Sequence, residues 1–193
     1  MGIFKDFGFI DIIFLILWLG ITYAAVSKGI FTEILKILAL FINSIFTFQL
    51  YPFLAEKVSS KIPFLSKDFN KAVTAITLFV IIWIILGLLI KIIDALFKRK
   101  EILFAEKIAA IVFGFFRLAY LASVIVFFLH LFPAKPGTSL GITPRIFKGI
   151  APKVYLATAG SLGKIIPGFT VNTEVEKILN TDSEKQESKE KGA

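Results

Sequence analysis

The sequence predicts an all-α integral membrane protein: a bundle of four transmembrane helices with an interfacial C-terminal region. Hydrophobic residues make up 56% of the 193 residues, 22 residues are Phe, and the mean hydropathy is +0.82. A soluble domain must cover its interior with polar surface, and this composition has too little of it. The composition therefore excludes a water-soluble single domain and, outside the C-terminal tail, intrinsic disorder.

Four apolar runs within residues 1–132 justify the four spans. They cover residues 9–26, 37–55, 72–90 and 108–132 and contain only two charged residues, Asp11 and Arg117. Each run approaches or exceeds the roughly 20 residues that a helix needs to cross a bilayer. A basic residue ahead of the first run would also fit a signal peptide. However, no A-x-A cleavage site follows, and Asp11 opens the run, so we expect an uncleaved first span.

The connections between the spans differ in kind. The first connection is a three-residue link ending in Gly29, which suits a tight helix reversal because glycine adopts positive φ without steric cost. The second is residues 56–71, with Asp68 or Asn70 as the predicted N-cap of the third span. The third is residues 91–107. Basic residues near the span ends divide almost evenly between the two sides, so the positive-inside rule leaves the orientation open.

The chain changes character after the fourth span. Residues 133–170 contain five prolines, six glycines, five basic residues and no acidic ones. Apolar residues alternate with the basic ones, which predicts short amphipathic segments on the membrane surface, broken near Pro152; a partly ordered loop is the alternative. The basic residues are candidates for contacts with anionic lipid: Lys135, Arg145, Lys148, Lys153 and Lys164. Residues 171–193 form a charged tail, predicted to be disordered after a short helix around residues 175–179.

Charged residues within the apolar runs are the first candidates for a functional site, because each costs about 2.5–3.5 kcal/mol at mid-membrane. Arg117 lies about 15 Å beyond Lys107 along a helix. Glu33, four residues after Gly29, enters from the same side and is its preferred partner, with Asp94 as the second candidate. We therefore predict a pair between Glu33 and Arg117. One interpretation is that the pair only holds two helices together. The alternative is that it takes part in transport or gating.

Smaller residues on the second and fourth spans predict helix packing. Ala110 and Gly114 form a small-xxx-small pattern, which we expect to let the second or third span approach. Four polar residues of the second span are predicted to hydrogen-bond to other helices, with the lining of a polar pathway as the alternative: Asn43, Ser44, Thr47 and Gln49.

Several classes of site are excluded or disfavoured. The chain has no cysteine and one histidine, His130, which excludes disulfides, Cys-ligated metals and thiol nucleophiles. No carboxylate cluster is visible, so we predict no metal and no cofactor. No P-loop, G-x-S-x-G or H-E-x-x-H motif is present, which predicts that the protein is not an enzyme. Its basic residues sit between apolar runs, as is typical of helix ends in lipid headgroups, so we expect no nucleic-acid partner.

The spacing of charged residues and glycines in the first two spans and the last one resembles that of the colicin V production protein (CvpA) family. The resemblance covers roughly residues 5–165. Ala110 and Leu118 depart from it, because they stand where the family usually has Gly, and Glu106 replaces Asp. The matching positions are Asp11, Lys28, Gly29, Glu33, Glu106, Lys107, Phe113, Gly114 and Arg117.

The resemblance implies a four-helix protein of the bacterial inner membrane, linked to production or export of a secreted toxin and more loosely to envelope maintenance. It implies no catalytic activity and no established ligand. Our leading hypothesis is a non-enzymatic, multi-pass member of this family. The alternative is a small transporter or channel subunit that uses the pair of Glu33 and Arg117. The bilayer is the expected partner, and a protein partner or a second copy stays open.

Overall fold

The computed structural model describes residues 9–61, 66–97, 103–132, 147, 149–165 and 169–180. These ranges contain helices and no strand. Three of the helices are long and apolar enough to cross a membrane, which confirms the all-α membrane bundle. The helices are α1 (Phe9–Lys61), α2 (Lys67–Leu96), α3 (Phe104–Leu131) and α4 (Ile150–Ile165), followed by a short helix, α5, over residues 173–180.

Helix α1 consists of two halves that meet at Gly29. The backbone of Gly29 has φ 77° and ψ 175°, which interrupts the helix as the reversal predicted from the sequence requires. The first half runs antiparallel to α3. Ala25 lies beside Gly114, whereas Phe14, eleven residues earlier, packs in one cluster with Ala122, further along α3.

The second half of α1 runs in the opposite direction, parallel to α3. Glu33 contacts Arg117, and the ring of Phe48 packs against that of Phe127, so residue numbers rise together along the two helices. The two halves therefore correspond to the first two predicted spans, with α2 and α3 as the third and fourth. The count of four remains a prediction, since three continuous helices meet the length requirement.

Helix α2 begins two positions earlier than the first of the predicted N-caps implies. Ser66 is its N-cap, and its Oγ accepts a hydrogen bond from the backbone N–H of Phe69 at 3.3 Å. The predicted N-caps, Asp68 and Asn70, are therefore wrong, because both already lie within the helix. The Asn70 amide instead donates to Ser59 Oγ at 3.1 Å and ties α2 to the end of α1.

Helix α4 packs against the bundle. Tyr155 and Ala159 are fully buried, and the Ala151 backbone N–H donates to Ser123 Oγ of α3 at 2.8 Å. The expected break near Pro152 lies at Gly149, whose backbone has φ 84° and which directly precedes α4. Pro152 itself lies in the first turn of α4, where a proline costs no intrahelical hydrogen bond.

Residues 169–180 continue the packed structure. The predicted short helix is confirmed as α5, where Val175 is fully buried. The Asn172 amide donates to the Phe48 carbonyl at 2.6 Å, and its side-chain oxygen accepts from the Glu174 N–H at 2.9 Å. The segment predicted as a tail from residue 171 onward is therefore packed up to residue 180, because it buries the Val175 side chain and satisfies the Phe48 carbonyl of α1. The rest of the predicted tail, 181–193, lies outside the described residues.

Candidate functional site

A buried carboxylate and two basic groups form the centre of the candidate site. Glu33 is fully buried, and its Oε2 lies 2.8 Å from Arg117 Nη1, while Oε1 lies 2.5 Å from Lys36 Nζ. The predicted contact between Glu33 and Arg117 is therefore present. Within the described residues, no N–H points at Oε2 with hydrogen-bond geometry, so this contact is an ion pair by distance and charge.

The reversal at Gly29 sets the depth of Glu33, which lies one helical turn beyond it. The second candidate partner for Arg117, Asp94, has a different contact. Its Oδ1 accepts a hydrogen bond from Thr32 Oγ1 at 2.9 Å, which ties the end of α2 to the start of the second half of α1. Two adjacent residues of α1 thus link it to α3 and to α2 at one level of the bundle.

Gly114 lies close to the first half of α1. A Cβ placed on Gly114 would lie 3.4 Å from the Ala25 Cβ and 3.4 Å from Ile21 Cγ2. The expectation that this glycine admits the second or third span is therefore wrong: it admits the first. The cause is the antiparallel run of the first half along α3, which brings Ala25 opposite the small residue.

A cavity of about 370 Å³ lies beside Arg117, between the two halves of α1, α2 and α3. The charged residues that line it are all basic: Lys28, Lys36, Lys91 and Arg117. The remaining lining residues are apolar or glycine, among them Leu17, Ile21, Trp83 and Gly87. Sequence reasoning found neither this cavity nor Lys36. The spacing of three residues from Glu33 to Lys36 was the available signal, because side chains at i and i+3 are neighbours on a helix.

A family model described as Colicin V production protein matches residues 10–147. The chain belongs to this family. Searches of curated proteins and of solved structures find no match. The matched range includes the ion pair and every residue that lines the cavity, and it ends before α4.

The remaining candidate residues that match the Colicin V production family lie at different depths in the bundle. Asp11 is buried in the first turn of α1, eighteen residues and about 27 Å along the helix from Gly29, so it lies far from Glu33. Lys28 is exposed beside the reversal, and Glu106 is half-buried in the first turn of α3. The structure thus brings together Lys28, Gly29, Glu33, Asp94, Gly114 and Arg117, while Asp11 stands apart.

Three of the four polar residues of the second half of α1 form hydrogen bonds to neighbouring elements, as predicted. Asn43 donates to the Phe79 carbonyl of α2 at 3.1 Å, and the Ser44 and Tyr120 hydroxyls lie 2.6 Å apart. Gln49 donates to the Thr170 carbonyl at 2.8 Å. The partners of these three residues thus lie on α2, on α3 and in the C-terminal segment. Thr47 bonds within α1, to Asn43. None of the four lines the cavity.

The basic residues proposed for lipid contacts are placed only in part. Lys153 and Lys164 are exposed on α4, and the other three lie outside the described residues. In the part of the chain that the structure describes, no group of three or more His, Asp or Glu side chains could hold a metal ion.

Proposed function

We propose that the chain is a non-enzymatic, multi-pass protein of the bacterial inner membrane that acts in colicin V-type toxin production or export, or in envelope maintenance. The observation that carries this proposal is the family match over residues 10–147. Three helices able to cross a membrane support the location in a bilayer.

In this proposal the ion pair fastens the membrane helices together. Glu33 joins the second half of α1 to α3 through Arg117, and Thr32 joins it to α2 through Asp94. The alternative is a small transporter or channel subunit in which the same pair serves the activity. The cavity favours this second candidate, because it reaches Arg117 and is lined by further basic side chains.

Toxin secretion tests the main proposal. Cells that make colicin V but lack their own family member are complemented with the full chain, and toxin activity is measured in the medium and in lysates. We expect the chain to restore extracellular toxin. A chain that accumulates in the membrane yet restores toxin in neither fraction contradicts the proposal. A lower total with an unchanged ratio of the fractions indicates production rather than export.

Glu33→Leu, Arg117→Leu and the double variant separate the two candidates, with the membrane level followed by immunoblotting. For a fastening role, activity follows the protein level, and the double variant recovers part of both. For a transport role, activity is lost in all three variants even where the level holds.

Reporter fusions test the multi-pass topology. Four spans place fusions at Lys61 and Glu190 in one compartment and a fusion at Lys100 in the other. Opposite readings at Lys61 and Glu190 would overturn the four-span arrangement.

A further inference from the structure

The cavity changes from basic to apolar along the bundle axis. Lys28 lies beside the Gly29 reversal, whereas Ile21 and Leu17, which line the cavity from the same half of α1, lie eight and twelve residues from Gly29. On α2, Lys91 lies eight residues from Trp83, which is about 12 Å along the helix. The bond between Thr32 and Asp94 places the Lys91 end of α2 at the level of the reversal.

The other two walls repeat this order. On α3, Arg117 precedes Leu121, and on the second half of α1, Lys36 precedes Ala39. Both segments run away from the Gly29 reversal, as the contact of Glu33 with Arg117 shows. All four walls therefore place the basic residue nearer to the reversal and the apolar residues deeper.

The basic residues outnumber the acidic groups that could neutralise them. Glu33 contacts Arg117 and Lys36 from outside the lining of the cavity, and no carboxylate is among the described residues that line it. Among the described residues, Lys28 and Lys91 form no ion pair. Lys28 and Lys91 are exposed where they line the cavity, and basic side chains at such positions in membrane proteins attract acidic lipid headgroups.

We propose that this cavity binds the phosphate of an acidic membrane lipid, with Lys28, Lys91 and Arg117 around the headgroup and an acyl chain along the wall formed by Trp83 and Leu17. A soluble anion would leave the apolar part of the cavity unfilled, and a zwitterionic lipid would bring a cationic group close to the basic residues beside its phosphate. This inference goes beyond the proposed role in toxin production. It is tested by binding, so its failure and that of the secretion experiment are distinguishable.

Fluorescence of Trp83 reports on the cavity directly, because this residue lines it. The chain has two tryptophans, and Trp18→Phe leaves Trp83 as the only one. The full chain is placed in phosphatidylcholine vesicles that contain a small fraction of either phosphatidylglycerol or phosphatidylcholine with brominated acyl chains. We expect brominated phosphatidylglycerol to quench Trp83 more strongly at equal mole fraction, since bromine quenches only at short range.

Removing the two unpaired lysines should remove the preference for the acidic lipid. Lys28→Ala with Lys91→Ala should weaken it about thirtyfold, because each basic residue near an anionic headgroup contributes about 1 kcal/mol. Lys61→Ala with Lys67→Ala removes the same charge from exposed positions at the other end of the bundle and should leave the preference unchanged.

A second pair of variants blocks the cavity without changing its charge. Gly87 lines the cavity, and a Cβ on it would meet nothing within 4 Å, so Gly87→Leu can extend into the space while the fold is kept. We expect this variant to lose the preference. Gly20→Leu is the matched control, because Gly20 is exposed, equally free of neighbours and outside the cavity.

Three outcomes would overturn the proposal. Equal quenching by the two brominated lipids would show no recognition of the headgroup. A preference that survives both the lysine pair and Gly87→Leu would assign it to the general surface charge of the protein. A preference abolished by excess inorganic phosphate would assign the site to a soluble anion instead of a lipid.

Discussion

The two ends of the bundle hold the same helices together by different chemistry. The Gly29 end, which comprises Gly29, Lys28, Glu33, Asp94 and Arg117, relies on charges and leaves a cavity beside them. The opposite end, here called the aromatic end, is closed by the rings of Phe48, Phe127 and Tyr155 and mainly by uncharged hydrogen bonds, with one partly exposed ion pair between Lys71 and Glu174. The difference suggests a division in which the aromatic end supplies rigidity and the Gly29 end supplies the capacity to bind.

Aromatic contacts are dense at the aromatic end. Phe48 lies with its ring centroid 4.4 Å from that of Phe127 and 5.5 Å from that of Tyr155. The Tyr155 hydroxyl donates to Gln49 at 2.6 Å and accepts from the Asn172 N–H at 3.0 Å. Burial raises the pKa of Tyr155, so its hydroxyl stays protonated and keeps both bonds at neutral pH.

The two ends also differ in their relation to the family. The match over residues 10–147 includes all of the Gly29 end. The aromatic end is completed by α4 and by residues 169–180, which lie beyond the match. The C-terminal part of the chain therefore closes one end of the bundle and leaves the end with the cavity untouched.

The largest expected effect breaks the Gly29 end. Glu33→Leu leaves Arg117 and Lys36 without a counter-charge, and breaking a buried pair costs about 3–5 kcal/mol. Arg117→Leu should cost less, because Lys36 still contacts Glu33. Immunoblots of membrane fractions and thermal unfolding in detergent measure both. The double variant should recover part of the loss, and equal stability of all three variants and the parent would contradict this account.

The next effect breaks the aromatic end. Phe48→Ala removes a fully buried ring, and we expect a loss of about 3 kcal/mol in the free energy of unfolding. Phe46→Ala is the matched control on the same helix, because Phe46 is 54% exposed. Unfolding in mixed detergent micelles compares the two variants. A similar loss for both would show that the aromatic end does not depend on its ring contacts.

A smaller effect concerns the C-terminal closure. Asn172→Ala removes the bonds to the Phe48 carbonyl and the Glu174 N–H, and we expect residues 173–180 to open more readily by about 1–2 kcal/mol. Hydrogen exchange of that segment measures the change. Asn180→Ala, at an exposed position, should leave exchange unaltered. Faster exchange at the Gly29 end in Asn172→Ala would show that the two ends are not independent.

The smallest expected effect is that of Gly114→Ala, which tests how closely the first half of α1 packs against α3 near the Gly29 end. Gly114→Ala adds a methyl group 3.4 Å from Ala25 and Ile21, which is a close but tolerable contact, and the gain in helix propensity of about 1 kcal/mol offsets it. The unfolding temperature should therefore change little. Gly114→Leu is the contrasting variant and should lower it clearly. If alanine is as damaging as leucine, the two helices lie closer than described.

Features fixed by local physics could be predicted from the sequence. Long uncharged runs require helices in lipid, and a glycine in a three-residue link predicts the reversal at Gly29. The pairing of Glu33 with Arg117 could be predicted from their depths in the membrane. The depth of each residue follows from its distance along its helix from the same membrane surface, because the rise per residue is known.

Features that depend on helix rotation and on the order of neighbours could not be predicted. Which helix faces Gly114 depends on how the first half of α1 rotates against α3, and an apolar run without a clear polar face carries no signal for that rotation. Tyr155 and Val175 are buried only because α1 and α3 provide a surface for them. The cavity arises in the same way, from four walls that are far apart in sequence.

The reversal at Gly29 has a consequence for the biogenesis of the protein. The two halves of α1 have no loop between them, so we expect them to enter the bilayer together as one hairpin, before α3 has been synthesised. Glu33 then meets the membrane with Lys36 as its only ion-pair partner on that hairpin. A carboxylate paired within its own helix enters lipid at lower cost than a lone one. Lys36 is thus the first residue to neutralise Glu33, and Arg117 becomes the second once α3 has been inserted.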